Sequence, residues 1–179
     1  MRDVTNEPNP SEQPAVEVAP IIAEAMKKAA VAWVAVGDRE PLALWCAPID
    51  GALYVVSGPG EQAAPGLAEA TTAQVTLRGD HGGRIVTWPA AVSRVMPGSE
   101  AWTAVAPQVA QKRLNSPEPA AELVERWADR CVLSRLVPSG APLAAGDTLP
   151  SDSLAAPPRP TPAARQTRKP FRLHRVRRR

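Results

Sequence analysis

The chain has 179 residues, of which 44% are hydrophobic, and its formal net charge is +3. This length fits one domain with extensions and is too short for two ordinary domains. No run of about 18 apolar residues could span a membrane, and the polar start lacks the apolar core of a secretory signal, so we expect a cytoplasmic protein.

The chain begins with a polar segment and continues into a helix. Residues 1–19 contain three prolines among polar and acidic side chains, and they cannot bury enough apolar surface to offset the entropy cost of ordering. We predict that this segment is disordered. Pro20 suits the first position of a helix, and Ile22 and Met26 follow at helical spacing. The helix opens a folded domain that we expect to span residues 20–139.

Three apolar strands follow the helix. They cover residues 31–36, 42–47 and 51–57, and short segments with turn-forming Gly, Asp and Pro join them. A short helix is predicted after the third strand. Because the three strands are apolar on both faces, we expect them to form a barrel wall that is covered by a helix or by a partner subunit.

Two further strands come next. The fourth, residues 73–78, alternates apolar and polar side chains, which predicts one buried face. Its inward-facing residues are Ala73, Val75 and Leu77. The fifth, residues 84–95, contains Pro89, which cannot donate a ladder hydrogen bond. We therefore expect a bend, a bulge or an edge at that position.

The last elements of the domain are two helices and a strand. Each helix has one apolar stripe, formed by Trp102, Val105, Ala106 and Val109 in the first and by Ala120, Leu123, Val124 and Trp127 in the second. Ser116 and Pro117 suit the N-cap and first turn of the second helix. Residues 131–138 form the closing strand. This order predicts a mainly antiparallel β protein with helices, a six-stranded barrel.

The domain contains few residues of the types that bind metals or act in redox chemistry. Cys46 and Cys131 lie inside apolar runs, so we interpret them as reduced core thiols. His81 is the one histidine within the predicted domain, in the turn of residues 80–83, and it lacks partner ligands nearby in sequence. We predict a hairpin turn there and no metal site.

The C-terminal segment is strongly basic. Residues 151–179 hold nine basic residues and one acidic residue, for a net charge of +8, which leaves −5 for residues 1–150. We predict that residues 140–179 are a disordered tail rich in Pro and Arg. Residues 159–179 could contact polyanions nonspecifically, and Phe171 and His174 could stack on bases.

Several segments resemble one known family. The passages "AWVAV…PLALWCAPIDGALYVVSGPG" and "PGLAEATTAQVTLRG", in this order after a helix, are similar to the split-barrel superfamily of pyridoxamine 5′-phosphate oxidase and its relatives that use FMN or a deazaflavin. The resemblance covers about residues 20–138. It implies a six-stranded split β-barrel, a homodimer with cofactor sites at the subunit interface, and hydride transfer to a small molecule.

The resemblance also assigns a phosphate-binding role to residues 57–67, which we call the SGPG loop. Ser57 matches the hydroxyl position of the family, whereas the Lys and Arg positions fall on Ala63 and Pro65. Both positive charges are therefore missing, and Glu61 would add repulsion. The groups that remain are Gly58, Gly60 and the N-terminus of a helix near Leu67. We expect FMN to bind weakly or not at all.

Other residues could complete a flavin site. Arg78 or Arg84 could supply positive charge from adjacent strands, although both could equally be solvated surface residues. Trp88, like Trp33 and Trp45, lies on a strand and could stack on a flavin ring, although tryptophan in a strand is normally a core or interface residue. The sequence indicates no catalytic residue.

Three functions remain open from the sequence. The first is a flavin- or deazaflavin-dependent oxidoreductase with an unknown substrate. The second is a cofactor-free homodimer that acts as a binding or scaffold protein. In the third, the basic tail is the functional part of the protein, and the barrel is a dimerisation unit that doubles the valency of the tail.

Overall fold

The computed structural model describes residues 18–79 and 82–149. The helices are α1 (Pro20–Lys27), α2 (Glu100–Lys112) and α3 (Ala120–Arg130). The strands are β1 (Val31–Ala35), β2 (Leu42–Trp45), β3 (Ala47–Ile49), β4 (Ala52–Ser57), β5 (Thr72–Arg78), β6 (Arg84–Val95), β7 (Val132–Pro138) and β8 (Ala144–Ala145). A 3-10 turn, Gly146–Thr148, follows β8.

The strands form one antiparallel sheet that is almost closed into a barrel. Seven of them follow the order β2-β1-β5-β6-β7-β4-β3, and β8 pairs with β6 beside this path. The two end strands, β2 and β3, are separated in the chain by Cys46 alone. The ends of the sheet are therefore joined by continuous backbone. The mainly antiparallel class with helices is confirmed, while the predicted second strand is divided at Cys46.

The inside of the barrel is the first of two hydrophobic cores. Alternate residues of β5 face inward as predicted, since Ala73, Val75 and Leu77 are all buried. Helix α1 contributes Ile22 and Met26 to the same cluster. The helix predicted from these apolar positions is confirmed, and it helps to fill the barrel.

The second core lies between the barrel wall and the pair α2–α3. It contains Tyr54 and Val56 from β4 together with Trp102, Val109 and Trp127 from the helices. The other face of β4 belongs to the barrel core, so every residue of this strand is buried. The apolar character of both faces of β4 is therefore explained within one chain.

Strand β1 differs from β4 because the described residues cover its outer face only in part. Val31 is 48% exposed, and Trp33 on the same face is partly exposed. The inward residues Ala32 and Val34 are buried in the barrel core. The dimer hypothesis would have a second copy bury Val31, whereas the Trp33 ring already carries the Arg78 guanidinium at 4.4 Å.

Two predicted local features are wrong. The short helix after the third strand is absent, because residues 65–69 form turns in which Leu67 N–H donates to Ala64 O at 3.1 Å. Ser116 is not the cap of α3, which begins at Ala120; its hydroxyl instead accepts the N–H of Glu118 at 3.3 Å and shapes the preceding turn.

The structure also extends beyond the predicted domain boundary at residue 139. Strand β8 pairs with residues 86–87 of β6, and Leu143 N–H donates to Thr87 O at 2.7 Å. Pro89 lies between this ladder and the one that β6 forms with β7 from Ala90 onward. Pro89 is paired with Gln74 of β5, and its carbonyl oxygen accepts the N–H of Ser139 at 2.9 Å. The strand is therefore central at this position, and the predicted edge is not found there.

Both cysteines are buried and unpaired, as predicted. Burial raises the pKa of Cys46 to about 12, so its thiol stays protonated at neutral pH. No helix in the described part of the chain is long and apolar enough to cross a bilayer. The predictions for residues 1–17, for His81 and for the basic tail, including Phe171 and His174, lie outside the described residues.

Candidate functional site: the SGPG loop and the arginine pocket

The first half of the SGPG loop is closed by its own backbone hydrogen bonds. Gly58 N–H donates to Gln62 O at 3.2 Å, and Glu61 N–H donates to Gly58 O at 3.0 Å. Ser57 forms a bridge with Gln62 and is itself buried, with 8% of its surface exposed. The N–H groups of Gly58 and Glu61 are therefore occupied within the protein, and most of the Ser57 residue is buried.

Two glycines of this loop lie against α3. A Cβ on Gly58 would lie 2.9 Å from both the carbonyl oxygen of Arg130 and the Cα of Cys131. Gly58 also has φ +143°, a conformation that side chains with a Cβ rarely adopt. A Cβ on Gly60 would lie 3.0 Å from Nη1 of Arg126. Close backbone packing thus accounts for glycine at position 58, whereas at position 60 the positive φ of +80° does, since the Arg126 side chain could shift.

Glu61 holds the loop to α2 and α3. Its Oε2 accepts from Nε of Arg113 at 2.9 Å, and its Oε1 accepts from Nη2 of Arg126 at 3.1 Å and from Nε1 of Trp127 at 3.0 Å. The side chain is only 3% exposed. Burial raises the pKa of Glu61, but these hydrogen bonds outweigh that effect and hold the pKa below its ordinary value. Glu61 is therefore a buried, paired anion.

Gln62 closes the seam between β2 and β4. Its Oε1 accepts the N–H of Trp45 at 2.7 Å, and its Nε2 donates to Trp45 O at 2.7 Å and to Val56 O at 3.1 Å. The side-chain amide thus pairs with backbone groups in the way a neighbouring strand would. It satisfies polar groups at the place where the barrel wall is divided.

The loop, α3 and the segment between α2 and α3 line an open surface pocket of about 320 Å³. We call it the arginine pocket. Its charged lining residues are Arg113, Arg126, Arg130, Glu61 and Glu118. Arg126 is central, because its Nε donates to Glu118 at 2.9 Å while its Nη2 donates to Glu61. Arg130 lies one turn further along the same face of α3 and is exposed.

The structure places the predicted site residues in three separate environments. Ser57, Gly58 and Gly60 lie together in the loop. Leu67 and Trp88 are each 1% exposed and belong to the barrel core. At this level of burial the Trp88 ring cannot stack on a ligand, although its Nε1 has no hydrogen-bond partner among the described residues.

The third environment is the ladder between β5 and β6. Arg78 and Arg84 are Cα partners on this ladder. The Arg78 guanidinium lies 4.4 Å from the centre of the Trp33 ring, and both residues line a groove of about 560 Å³ beside α1. This groove differs from the arginine pocket, so Arg78 and the SGPG loop do not line the same cavity.

The loop does not fit a flavin phosphate. The helix N-terminus expected near Leu67 is absent, Ala63 and Pro65 stand where the family resemblance would place Lys and Arg, and Ser57 is mostly buried. Glu61, expected to repel an anion from within the loop, is instead compensated by two arginines. The candidate site for an anion is therefore the arginine pocket and not the backbone of the loop.

Sequence reasoning did not find Arg113, Arg126 and Arg130 as site residues. One local signal was available, since Arg126 and Arg130 are four residues apart and share a helix face. Their contact with the loop was not visible, because Glu61 and Arg126 are 65 residues apart. In the described part of the chain, no group of three or more His, Cys, Asp or Glu side chains is arranged to hold a metal ion.

Comparisons with known proteins give similarity in solved structures only. No protein-family model matches the sequence. No curated protein matches it either. Among solved structures, the heme storage protein HutZ from Vibrio cholerae is 18% identical, with a TM-score of 0.49, over 69% of this chain and 92% of that chain.

Two further solved structures are similar to this chain. A candidate pyridoxamine 5′-phosphate oxidase from Listeria innocua is 13% identical, with a TM-score of 0.46, over 68% of this chain and 94% of that chain. An FAD-binding protein from Mesorhizobium loti is 15% identical, with a TM-score of 0.45, over 65% of this chain and 84% of that chain. The resemblance predicted from the sequence is thus found among solved structures as well, as a likeness of fold alone.

Proposed function

We propose that this protein is a split-barrel homodimer that acts as a binding or scaffold protein without a flavin. The observation that carries the proposal is the internal closure of the SGPG loop. Gly58 and Glu61 use their N–H groups within the loop, and the Glu61 carboxylate is buried against Arg113 and Arg126. A flavin phosphate would have to break these contacts before it could bind there.

The energetic argument supports the same function. Charge-assisted hydrogen bonds contribute about 1.5–3 kcal/mol each, and this loop lacks both cations that would supply them. Opening the loop would additionally expose or orphan the buried Glu61 carboxylate, and an uncompensated buried charge costs several kcal/mol. The binding free energy of a flavin phosphate at this loop is therefore unfavourable, and the remaining loop residues do not offset that cost.

The test is a titration of the full-length protein with FMN and, separately, with a deazaflavin. Calorimetry and the visible absorption spectrum are the two readouts. We expect colourless purified protein and no saturable heat at micromolar concentrations. A stoichiometric yellow protein, or a micromolar dissociation constant for either compound, would overturn the flavin-free function. The Arg78→Gln variant would then show whether the groove beside α1 holds the ligand.

A flavin- or deazaflavin-dependent oxidoreductase is the second candidate, and the groove beside α1 is what favours it. Its volume of about 560 Å³ lies within the range of cofactor and substrate sites. Trp33, Arg78 and Lys28 provide an aromatic surface and two cations there. However, one face of the Trp33 ring already carries the Arg78 guanidinium, so a flavin would have to displace it.

The proposal includes the partners expected from the sequence. A second copy of the chain would cover the outer face of β1, and residues 159–179 would attract polyanions without base specificity. We propose that the protein acts in the cytoplasm. Binding of heparin or DNA should fall steeply with salt and disappear when residues 150–179 are deleted. Binding that survives the deletion would exclude the tail as its source.

A further inference from the structure

We propose that the arginine pocket is a binding site for a small phosphorylated compound, recognised through its phosphate dianion. This inference goes beyond the proposed function and does not depend on whether a flavin binds. It rests on the charge balance of the pocket, on hydrogen-bond donors that have no partner among the described residues, and on the size of the pocket.

The charge balance leaves one cation without a partner. Three arginines and two glutamates line the pocket, for a net charge of +1. Arg113 and Arg126 pair with Glu61, and Arg126 pairs with Glu118 as well. Within residues 18–79 and 82–149, no hydrogen bond or ion pair involves the Arg130 guanidinium. Arg130 is thus available to an anion at the pocket.

The pocket also holds ordered donors beside Arg130. Arg126 is fixed by Glu118 and Glu61, and its Nη1 also donates to Pro59 O at 3.3 Å, which leaves further N–H bonds of its guanidinium unused. Gly60 lines the pocket, and its N–H has no acceptor among the described residues. An arginine already held by two carboxylates loses little side-chain entropy when it binds an anion.

The size and polarity of the cavity select the ligand class. A volume of about 320 Å³ is at the small end of ligand sites, so it suits a compound of the size of a short-chain or sugar phosphate. A phosphate group offers three oxygens to the donors of α3 and of the loop that line the pocket, whereas a monocarboxylate offers two. Guanidinium groups are also the side chains that pair best with phosphate geometry.

The experiment is an NMR titration of the full-length, ¹⁵N-labelled protein with inorganic phosphate at constant ionic strength, with chloride as the balancing anion. The reporters are the Gly60 amide and the indole Nε1–H of Trp127, which donates to Glu61 in the wall of the pocket. We expect both signals to shift and to saturate in the millimolar range or below. The same titration with glycerol 3-phosphate should saturate at lower concentration.

Two variants decide whether the pocket is responsible. Arg130→Gln should weaken phosphate binding about tenfold, the effect of one charge-assisted bond. Arg94→Gln removes an exposed arginine that does not line the pocket, and it should leave the titration unchanged. Dispersed indole signals in both variants will show that they are folded.

Three results would overturn the proposal. The first is the absence of saturable shifts at the Gly60 and Trp127 reporters in the unmodified protein. The second is equal binding by the Arg130→Gln variant. The third is equal weakening by Arg94→Gln, since that would indicate general charge attraction instead of a site.

Discussion

At the scale of single residues, Gly58 shows how backbone geometry fixes the SGPG loop. It combines a positive φ with close approach to Arg130 and Cys131, so an added Cβ meets both conformational strain and backbone atoms that cannot move away. Gly37 also has a positive φ, of +58°, but open space surrounds it. The two positions separate the cost of strain from the cost of contact.

We predict that Gly58→Ala lowers the free energy of unfolding by about 3 kcal/mol, because strain and overpacking act together. The matched variant Gly37→Ala should cost about 1 kcal/mol, the strain alone. Urea unfolding followed by tryptophan fluorescence measures both. Equal losses in the two variants would show that α3 does not pack against the loop at Gly58.

Glu61 makes the stability of the protein depend on pH. Its pKa is lowered in the folded state, so its contribution is present above the unfolded pKa of about 4.3 and is lost as pH falls through the folded value. We predict that Glu61→Gln lowers the free energy of unfolding at pH 7 by about 2–3 kcal/mol. This is below the usual cost of breaking a fully buried pair, because both arginines remain partly exposed.

The difference in the free energy of unfolding between the unmodified protein and the Glu61→Gln variant should shrink as pH falls below about 4. In that range the unmodified protein also loses the charge of the Glu61 carboxylate. Urea unfolding at several pH values between 3 and 7 is the measurement. A constant difference across this range would mean that the charge of Glu61 does not contribute to stability.

At the scale of elements, Gln62 holds the divided barrel wall together. Its side chain satisfies both backbone groups of Trp45 and the carbonyl of Val56. We predict that Gln62→Ala lowers the free energy of unfolding by about 2–4 kcal/mol, since part-buried backbone groups lose their partners. Hydrogen exchange at the Trp45 amide should accelerate with it.

The control for this prediction is Gln108→Ala. Gln108 is exposed on α2, and its amide makes one bond to Ala104 O within the same helix. Its loss should change stability by no more than about 0.5 kcal/mol. If Gln62→Ala is as mild as this control, the seam is held by the continuous backbone at Cys46 and not by the side chain.

Local periodicity predicted most elements, while long-range contacts decided the site. The alternation of Val75 and Leu77 and the stripe around Trp127 are signals within one element, and they were correct. The division at Cys46 and the pairing of β8 depend on partners far along the chain. The same holds for Glu61. The sequence predicted that its charge would repel an anion, because the arginines that pair with it lie 52 and 65 residues away and their contact was not visible.

Strand β8 leads to a prediction about where the folded part ends. Leu143 N–H bonds to Thr87 O, and Thr87 is 5% exposed under this segment. A chain that ends at residue 149 should keep the melting temperature of the full-length protein. A chain that ends at 139 should lose about 2 kcal/mol, because backbone hydrogen bonds to β6 are removed. Calorimetry of the two truncations compares them, and equal stability would mean that β8 is dispensable.

At the scale of the whole molecule, we predict that the partly exposed outer face of β1 takes part in assembly. Val31 and Trp33 line the groove beside α1, where Val31 is 48% exposed and the Arg78 guanidinium lies over the Trp33 ring. Apolar surface that remains exposed on a small domain marks an interaction site, and burying it against an identical face satisfies both copies at once. A two-fold dimer through β1 is therefore the assembly that we expect.

Light scattering of the full-length protein should give twice the chain mass of 19.0 kDa at micromolar concentration. Val31→Lys should give the monomer mass, because the lysine would have to be buried without a partner in the dimer. Met96→Lys is the control, since Met96 is 54% exposed and lies outside this face. A monomeric unmodified protein would exclude the homodimer, and a dimeric Val31→Lys variant would move its interface away from β1. Dissociation by both variants would instead show that assembly responds to added charge in general.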